Sequence, residues 1–246
     1  YLGELNVTFN DAGEIITAVG EPISIDGTVT EDAETVARIA EMAIPLEEIR
    51  TKVVASSAAV IEGDRSVCRV MECEMGNLVA DAMLDRVANQ GVVIAIANSG
   101  GVRASIDAGD VTMGEVYTVL PFQNTLSTFE ASGEMLMAAL ENGVSQYEEV
   151  AGRFPQVAGM TFTVDPAAEV GARVSDVMIG GAAIDLAATY GVVSNNYVRG
   201  GGDGYKMFRD AANAYDFGPD LAEVMADYMA AQGDYAPYTD GRIIIK

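Results

Sequence analysis

The 246-residue chain contains no histidine. This removes the side chain that most readily moves protons near neutral pH, and with it His-based general acid–base catalysis and Ser-His-Asp triads. It also removes the commonest ligand of transition metals. Basic residues are scarce: 14 Lys and Arg stand against 37 Asp and Glu, a formal net charge of −23. A field of that sign repels nucleic acid and anionic membrane surfaces, so neither is expected as a partner. The acidic residues are dispersed, with no block of like charge, and read as a solvated surface. They offer carboxylates for Mg or Ca, but no EF-hand spacing occurs. No apolar run reaches the length of a membrane span, and the N-terminus shows no basic segment followed by a cleavage site. The expectation is a soluble chain, compatible with the mature part of an exported protein.

Cysteine is almost absent. Cys68 and Cys73 are the two, with four residues between them. One reading is a local disulfide, which implies an oxidising compartment such as the periplasm. The other is a pair of reduced cysteines in ordinary packing. Two thiolates without histidine make an incomplete zinc site, so metal binding is disfavoured.

What is present is apolar material for a core: 50% of the residues are hydrophobic. The length suits one large domain or one domain with an appendage. Residues 1–30 alternate short apolar stretches with Gly and Asp turns, and 5–9 with 15–19 read as a hairpin around Asn10-Asp11-Ala12-Gly13. Thr30-Glu31-Asp32-Ala33-Glu34 reads as an acidic helix start, and Val36, Ile39, Ala40 and Ala43 continue it at helical spacing. Pro45 is expected to kink or restart that helix.

Further strands are expected at 53–61, 92–97, 125–131, 157–164, 173–179, 190–196 and 242–245, with a turn at Gly180-Gly181. Helices are expected at 76–88, 114–119, 132–146 and 219–231. They interleave without a regular βαβ repeat. The fold class is therefore α+β, a mixed β-sheet packed with helices, preceded by a short β-hairpin and a linker helix.

Two glycine-rich loops follow strands. Asn98-Ser99-Gly100-Gly101-Val102-Arg103 sets two bare positions between an amide and a guanidinium. Glycines there permit a tight turn or a close approach to a ligand. Alone, the segment reads as a tight turn with an exposed Arg. Asn196-Tyr197-Val198-Arg199-Gly200-Gly201-Gly202-Asp203-Gly204-Tyr205 is neither a P-loop nor a dinucleotide fingerprint. It suggests a backbone that presents the Asp203 carboxylate, which could accept both hydroxyls of a ribose; the plainer reading is a flexible loop with a solvated Asp. Phe122, after Pro121, defaults to the core. Its other reading is an aromatic clamp with Tyr197 around a flat base.

Four motifs in order carry a family resemblance: Cys68-x4-Cys73-x2-Gly76-Asn77-Leu78-x2-Asp81-Ala82; Asn98-x-Gly100-Gly101-x-Arg103; Val119-Leu120-Pro121-Phe122; and Asn196-Tyr197 with Gly201-Gly202-Asp203-Gly204-Tyr205. The chain resembles the C-terminal, substrate-binding domain of the 5′-nucleotidase and UDP-sugar hydrolase family. The resemblance implies three parts: 1–30 as the tail of an N-terminal metallophosphatase domain, 31–52 as a helical linker, and 53–246 as the C-terminal domain.

It also implies roles. Phe122 and Tyr197 would sandwich the base, Asn98 would bond it, and Asp203 would hold ribose hydroxyls. Arg69 and Arg103 would reach ribose and phosphate, Gly100 and Gly101 would line the nucleoside, and Cys68 would pair with Cys73. Ser99, where a third glycine is common, and Tyr197, where Phe is common, are mild departures. Arg199-Gly200 is expected to set a positive charge beside the base pocket.

In this family two divalent metal ions in the N-terminal domain, held by Asp, His and Asn, run the hydrolysis. A histidine-free chain resembles the other half, with no cofactor of its own and no catalytic residue. The expectation is a periplasmic or secreted nucleotide-recognition domain of a metal-dependent hydrolase in nucleotide catabolism, inactive alone. Its partners would be a nucleotide or nucleoside and the metallophosphatase domain in cis. The alternatives are a stand-alone nucleoside-binding module, or the equivalent domain of a 2′,3′-cyclic-nucleotide phosphodiesterase or UDP-sugar hydrolase. A thiosulfohydrolase relative is disfavoured, because a small inorganic substrate needs no aromatic pair.

Overall fold

The computed structural model describes all residues, 1–246. It divides into two compact units, residues 1–48 and 49–246. The first unit holds β1 (Leu2–Gly3), β2 (Asn6–Phe9), β3 (Ile15–Val19), β4 (Pro22–Ile23) and most of α1 (Ala33–Thr51). β2 and β3 form the expected antiparallel hairpin, and β1 pairs with β4. No residue of this unit is buried. Asp32 starts α1 by accepting the Thr35 N–H at 2.8 Å. The helix then runs through Pro45 without a break, so it does not restart there. A proline removes one N–H from the ladder, and the neighbouring turns here carry the helix across it.

The second unit runs β5 (Val53–Ser57), α2 (Arg65–Cys68), α3 (Glu74–Arg86), β6 (Val92–Asn98), β7 (Gly109–Thr112), α4 (Met113–Val119), β8 (Leu126–Ser132) and α5 (Gly133–Val144). Then come β9 (Pro155–Ala158), β10 (Met160–Val164), β11 (Val174–Ile179), β12 (Ala182–Ala183), β13 (Thr189–Asn195) and α6 (Asn196–Arg199). β14 (Ala212–Tyr215), α7 (Leu221–Gln232), β15 (Asp234–Tyr235) and β16 (Ile243–Ile245) complete it.

The central sheet has the order β14-β8-β13-β6-β9, and both parallel and antiparallel pairs occur in it. A four-stranded sheet β12-β11-β10-β16 and a three-stranded sheet β15-β5-β7 accompany it. The mixed α+β class expected from the interleaved pattern is the class observed.

β6 explains the layering. Its residues are apolar on both faces: Ala95 and Ala97 join a core with α3, α4 and α7, while Ile94 and Ile96 join a second core with α5, β10 and β11. Successive side chains of a strand point to opposite faces, so a continuous apolar run marks a sheet covered on both sides. One expected strand is corrected. Residues 157–164 are not continuous; β9 ends at Ala158 in the central sheet and β10 starts at Met160 in the four-stranded one. Gly159, at φ +75°, makes the switch, and a Cβ there would stand 2.0 Å from the Val93 carbonyl oxygen.

The first motif of the chain is structural. Cys68 and Cys73 form a disulfide with an S–S distance of 2.05 Å. The Gln156 side chain of β9 enters the enclosed loop. Its amide nitrogen donates to the carbonyls of Cys68 at 2.8 Å and Met71 at 2.7 Å. Gly76 leaves room for this, since a Cβ would meet Gln156 at 2.3 Å. Asn77 donates to Glu72 at 2.7 Å and to the Tyr238 carbonyl at 3.1 Å. Asp81 accepts from the buried Arg242 guanidinium at 2.8 Å. The hydrogen bonds and ion pair hold the Arg242 guanidinium above its usual range against the opposing pull of burial.

Gln156 is fully buried. Replacing it with Leu keeps volume but strands the Cys68 and Met71 carbonyls. The Gln156→Leu variant should lose about 2–4 kcal/mol of stability, read as a lowered urea midpoint at unchanged m. A midpoint within error of the parent would dismiss the amide as an anchor.

Candidate functional site

Sheet topology gathers the site. β13 runs parallel to β6, so Asn98 and Asn195, their last residues, lie at the same sheet edge. β8 and β9 run antiparallel to these strands. Leu126 pairs with Asn195, and Pro155 pairs with Asn98. The segments that enter β8 and β9 therefore reach the same edge as those that leave β6 and β13. Such an edge is where ligands collect in sheets with parallel neighbours.

The cavity there has a volume of about 520 Å³. Arg69, Asn98, Gly100, Gly101, Arg103, Phe122, Tyr197 and Asp203 line it, and all eight residues singled out from the sequence are thus brought together. Asn124 and Gly152 complete the lining. The volume suits a drug-sized or nucleotide-sized ligand.

A chain of amides fixes the polar wall. The Val198 N–H donates to Asn195 Oδ1 at 2.8 Å, where Asn195 caps α6. That donor can only be a donor, so Asn195 must present Nδ2 on its other side. Asn195 Nδ2 donates to Asn98 Oδ1 at 2.9 Å. Asn98 must in turn present Nδ2, which donates to Asp203 Oδ2 at 2.7 Å. One backbone N–H thus settles both amide orientations and the approach to the carboxylate.

The other carboxylate oxygen is also held. The Tyr197 hydroxyl donates to Asp203 Oδ1 at 2.9 Å and accepts from the Asp203 N–H at 3.2 Å. Burial, and after it the Asp203 bond, push the Tyr197 phenol above its usual range, so it remains a donor at neutral pH. The Tyr197 ring rests against Gly202, where a Cβ would lie 2.5 Å from the ring.

Two guanidinium groups share the cavity with this carboxylate. The Arg69 Nε has no hydrogen-bond partner, and its Nη1 reaches the Val150 carbonyl at 3.4 Å. Burial, then the charge of Arg103, hold the Arg69 guanidinium below its usual range, while Asp203 opposes the shift. An arginine in proteins stays a cation, so the pocket keeps an under-solvated positive charge. Arg103 lies over the Phe122 ring at 5.6 Å from its centroid. Of the five non-glycine residues at positive φ, Gln123, Val150 and Asp203 adjoin or line this cavity. Backbone strain of this kind concentrates at functional sites.

Two readings of the sequence need correction. Phe122 is not a core residue; it is 54% exposed, and Tyr197 is 47% exposed. The turn after Leu120 carries the ring to the cavity rim. Arg199 does not place its charge beside the pocket. It pairs with Asp216 at 3.6 Å, donates to the Arg209 carbonyl at 3.0 Å and lies over Phe129. The close approach at Gly100 is made to backbone. This residue meets Gly152, whose Cα would stand 3.0 Å from a Cβ at position 100. Gly152, Asn124, Asn195 and Gln156 were not singled out. Asn195, the last residue of β13 and the cap of α6, carries a capping signal; Gly152 and Gln156 act through distant partners and carry none.

Comparison with known proteins identifies the family. The family model described as 5′-nucleotidase, C-terminal domain, matches residues 51–210. The chain is 35% identical to the trifunctional nucleotide phosphoesterase protein of Bacillus subtilis, over 99% of its own length and 17% of that protein. It is 31% identical to the 5′-nucleotidase of Rattus norvegicus, over 99% of this chain and 45% of that one. The solved 5′-nucleotidase precursor of Thermus thermophilus superposes with a TM-score of 0.82 at 38% identity, covering 99% of this chain and 49% of that one. The chain thus spans about half or less of the length of these three proteins. Fold, motif order and family model agree that this chain belongs to the 5′-nucleotidase C-terminal domain family.

Proposed function

We propose that this chain is the nucleotide-recognition part of a 5′-nucleotidase-type hydrolase. The observation that carries the reading is one cavity holding two half-exposed rings, an oriented carboxylate and two guanidinium groups. Phe122 and Tyr197 stack the base. Asp203 accepts the ribose hydroxyls. Each end of the Asn98 amide keeps one unused hydrogen-bonding position for the base. Arg69 and Arg103 neutralise phosphate in a chain whose net charge would otherwise repel it.

Residues 1–30 belong with a metallophosphatase domain, 31–52 link it, and 53–246 form the recognition domain. The exposed Phe9, Ile15, Ile16 and Val19 of the hairpin support that division. The Cys68–Cys73 disulfide supports a periplasmic or secreted location.

No group of three or more His, Cys, Asp or Glu side chains is placed to hold a metal ion. The donor set here does not fit a two-metal centre, and no hydrolytic step is assigned to these residues. The chain alone should release no phosphate from AMP above a buffer control in a colorimetric assay with Mn or Mg. Release that scales with protein and survives repurification would overturn the division of labour.

Isothermal calorimetry tests the recognition. Adenosine and AMP should bind weakly, because half the site is missing; tight binding would favour a stand-alone module. A stacked face is worth about 1–3 kcal/mol, so Phe122→Ala and Tyr197→Ala should each weaken adenosine about five- to a hundred-fold. Unchanged affinity in both would sink the clamp. Arg69→Gln should weaken AMP more than adenosine and flatten the salt dependence of AMP binding. Equal losses for both ligands would remove Arg69 from the phosphate.

A further inference from the structure

Tyr197 presents a hydroxyl that stacking does not use. That oxygen donates to Asp203 Oδ1 at 2.9 Å and takes the Asp203 N–H at 3.2 Å. The opposite carboxylate oxygen is held by Asn98 at 2.7 Å. A carboxylate offers about four acceptor positions, two on each oxygen. With one on each side occupied by protein, each oxygen keeps one for a ligand. Two adjacent acceptors in one plane match the two O–H donors of a vicinal cis-diol. A lone hydroxyl would use half of them.

Asp203 cannot hold this pose by its own backbone. It sits at φ 51°, ψ 25°, between Gly202 and Gly204, and Asn142 holds its carbonyl at 3.1 Å, which fixes the backbone but not the carboxylate. The ring of Tyr197 packs over Gly202, where a Cβ would lie 2.5 Å from it, and this contact does not involve the hydroxyl. Stacking and carboxylate positioning are therefore separable within one side chain.

We propose that the Tyr197 hydroxyl is a positioning group that locks the Asp203 carboxylate for a vicinal diol, making Tyr197 a determinant of sugar selectivity as well as a stacking ring. This rests on the nucleoside reading of the same cavity. The ligand class is a nucleoside or nucleotide with both ribose hydroxyls free, against analogues lacking them.

The test compares adenosine with 2′,3′-dideoxyadenosine, by calorimetry on the full 246-residue chain and its Tyr197→Phe variant. The parent should prefer adenosine. Tyr197→Phe should reduce that preference about five- to ten-fold, while dideoxyadenosine affinity stays within about twofold. A merely structural role would lower both affinities together and leave their ratio unmoved; that result overturns the inference. Absence of adenosine binding by the parent overturns the nucleoside reading, and the inference with it. A second arm guards against a misfolded variant. Asp203→Asn should itself abolish the preference, and adding Tyr197→Phe to it should change the ratio no further. A further loss in the double variant, equal to that in the parent, would show that the hydroxyl acts without Asp203 and overturn the proposal.

Discussion

The parallel pairing of β6 with β13 is the constraint from which the site follows. Two parallel neighbours end at the same edge, so Asn98 and Asn195 come within hydrogen-bonding range although 97 positions apart in sequence. The antiparallel strands on either side then begin at that edge, and Phe122 and Gly152 arrive with them. Reversing either central strand would send its loop to the far side of the sheet. The amide chain from Val198 to Asp203 exists only because of this pairing. It converts sheet geometry into the orientation of one carboxylate.

Support for Arg69 comes from outside the sheet. The four residues of α2 are too short to fix a long side chain by themselves. The disulfide closes the next turn, and Gln156 ties it to β9 one residue beyond Pro155, at the site's edge. Closing so short a loop removes about 2 kcal/mol of unfolded-chain entropy in the loop-closure account. The two Gln156 bonds add a comparable amount. The motif Gly76-Asn77 with Asp81 supplies no residue of the cavity lining. It accommodates Gln156, holds the Tyr238 carbonyl and pairs with Arg242. Its function is to hold the platform on which Arg69 stands.

How far the site was legible depended on how local each signal was. The β6 run, the N-cap Ser132 and the helices at α3, α5 and α7 are readable because periodicity and capping act within a few residues. All eight candidate residues line one cavity, but it is the order of motifs that points to them; the residues alone leave Phe122 in the core and the Asn98 loop as a plain turn. Strand 157–164 failed because one glycine transfers the chain between sheets, and alternation cannot reveal which sheet a strand joins. Arg199 failed because its position in sequence beside Tyr197 says nothing of direction. A short helix turns it toward Asp216 and away from the cavity. Gln156 and Gly152 were invisible because their partners lie 88 and 52 residues away.

The strained positions allow a last step. Gln123, Val150 and Asp203 each hold a left-handed backbone, at about 1–3 kcal/mol apiece. Together they approach the whole margin of a typical domain, about 5–15 kcal/mol. Such strain persists only where the surroundings over-determine it, and here they do. Val150 turns its carbonyl to Arg69, Gln123 sits between two cavity residues, and Asp203 is held from both oxygens and its own N–H. The ordering cost of the polar wall is thus met on folding and not on binding. A ligand entering the cavity has to order little beyond itself, which raises affinity without any added contact. In the proposed recognition role this arrangement matters most, because such a half-site would hold a substrate whose reacting bond is handled by residues outside its own walls.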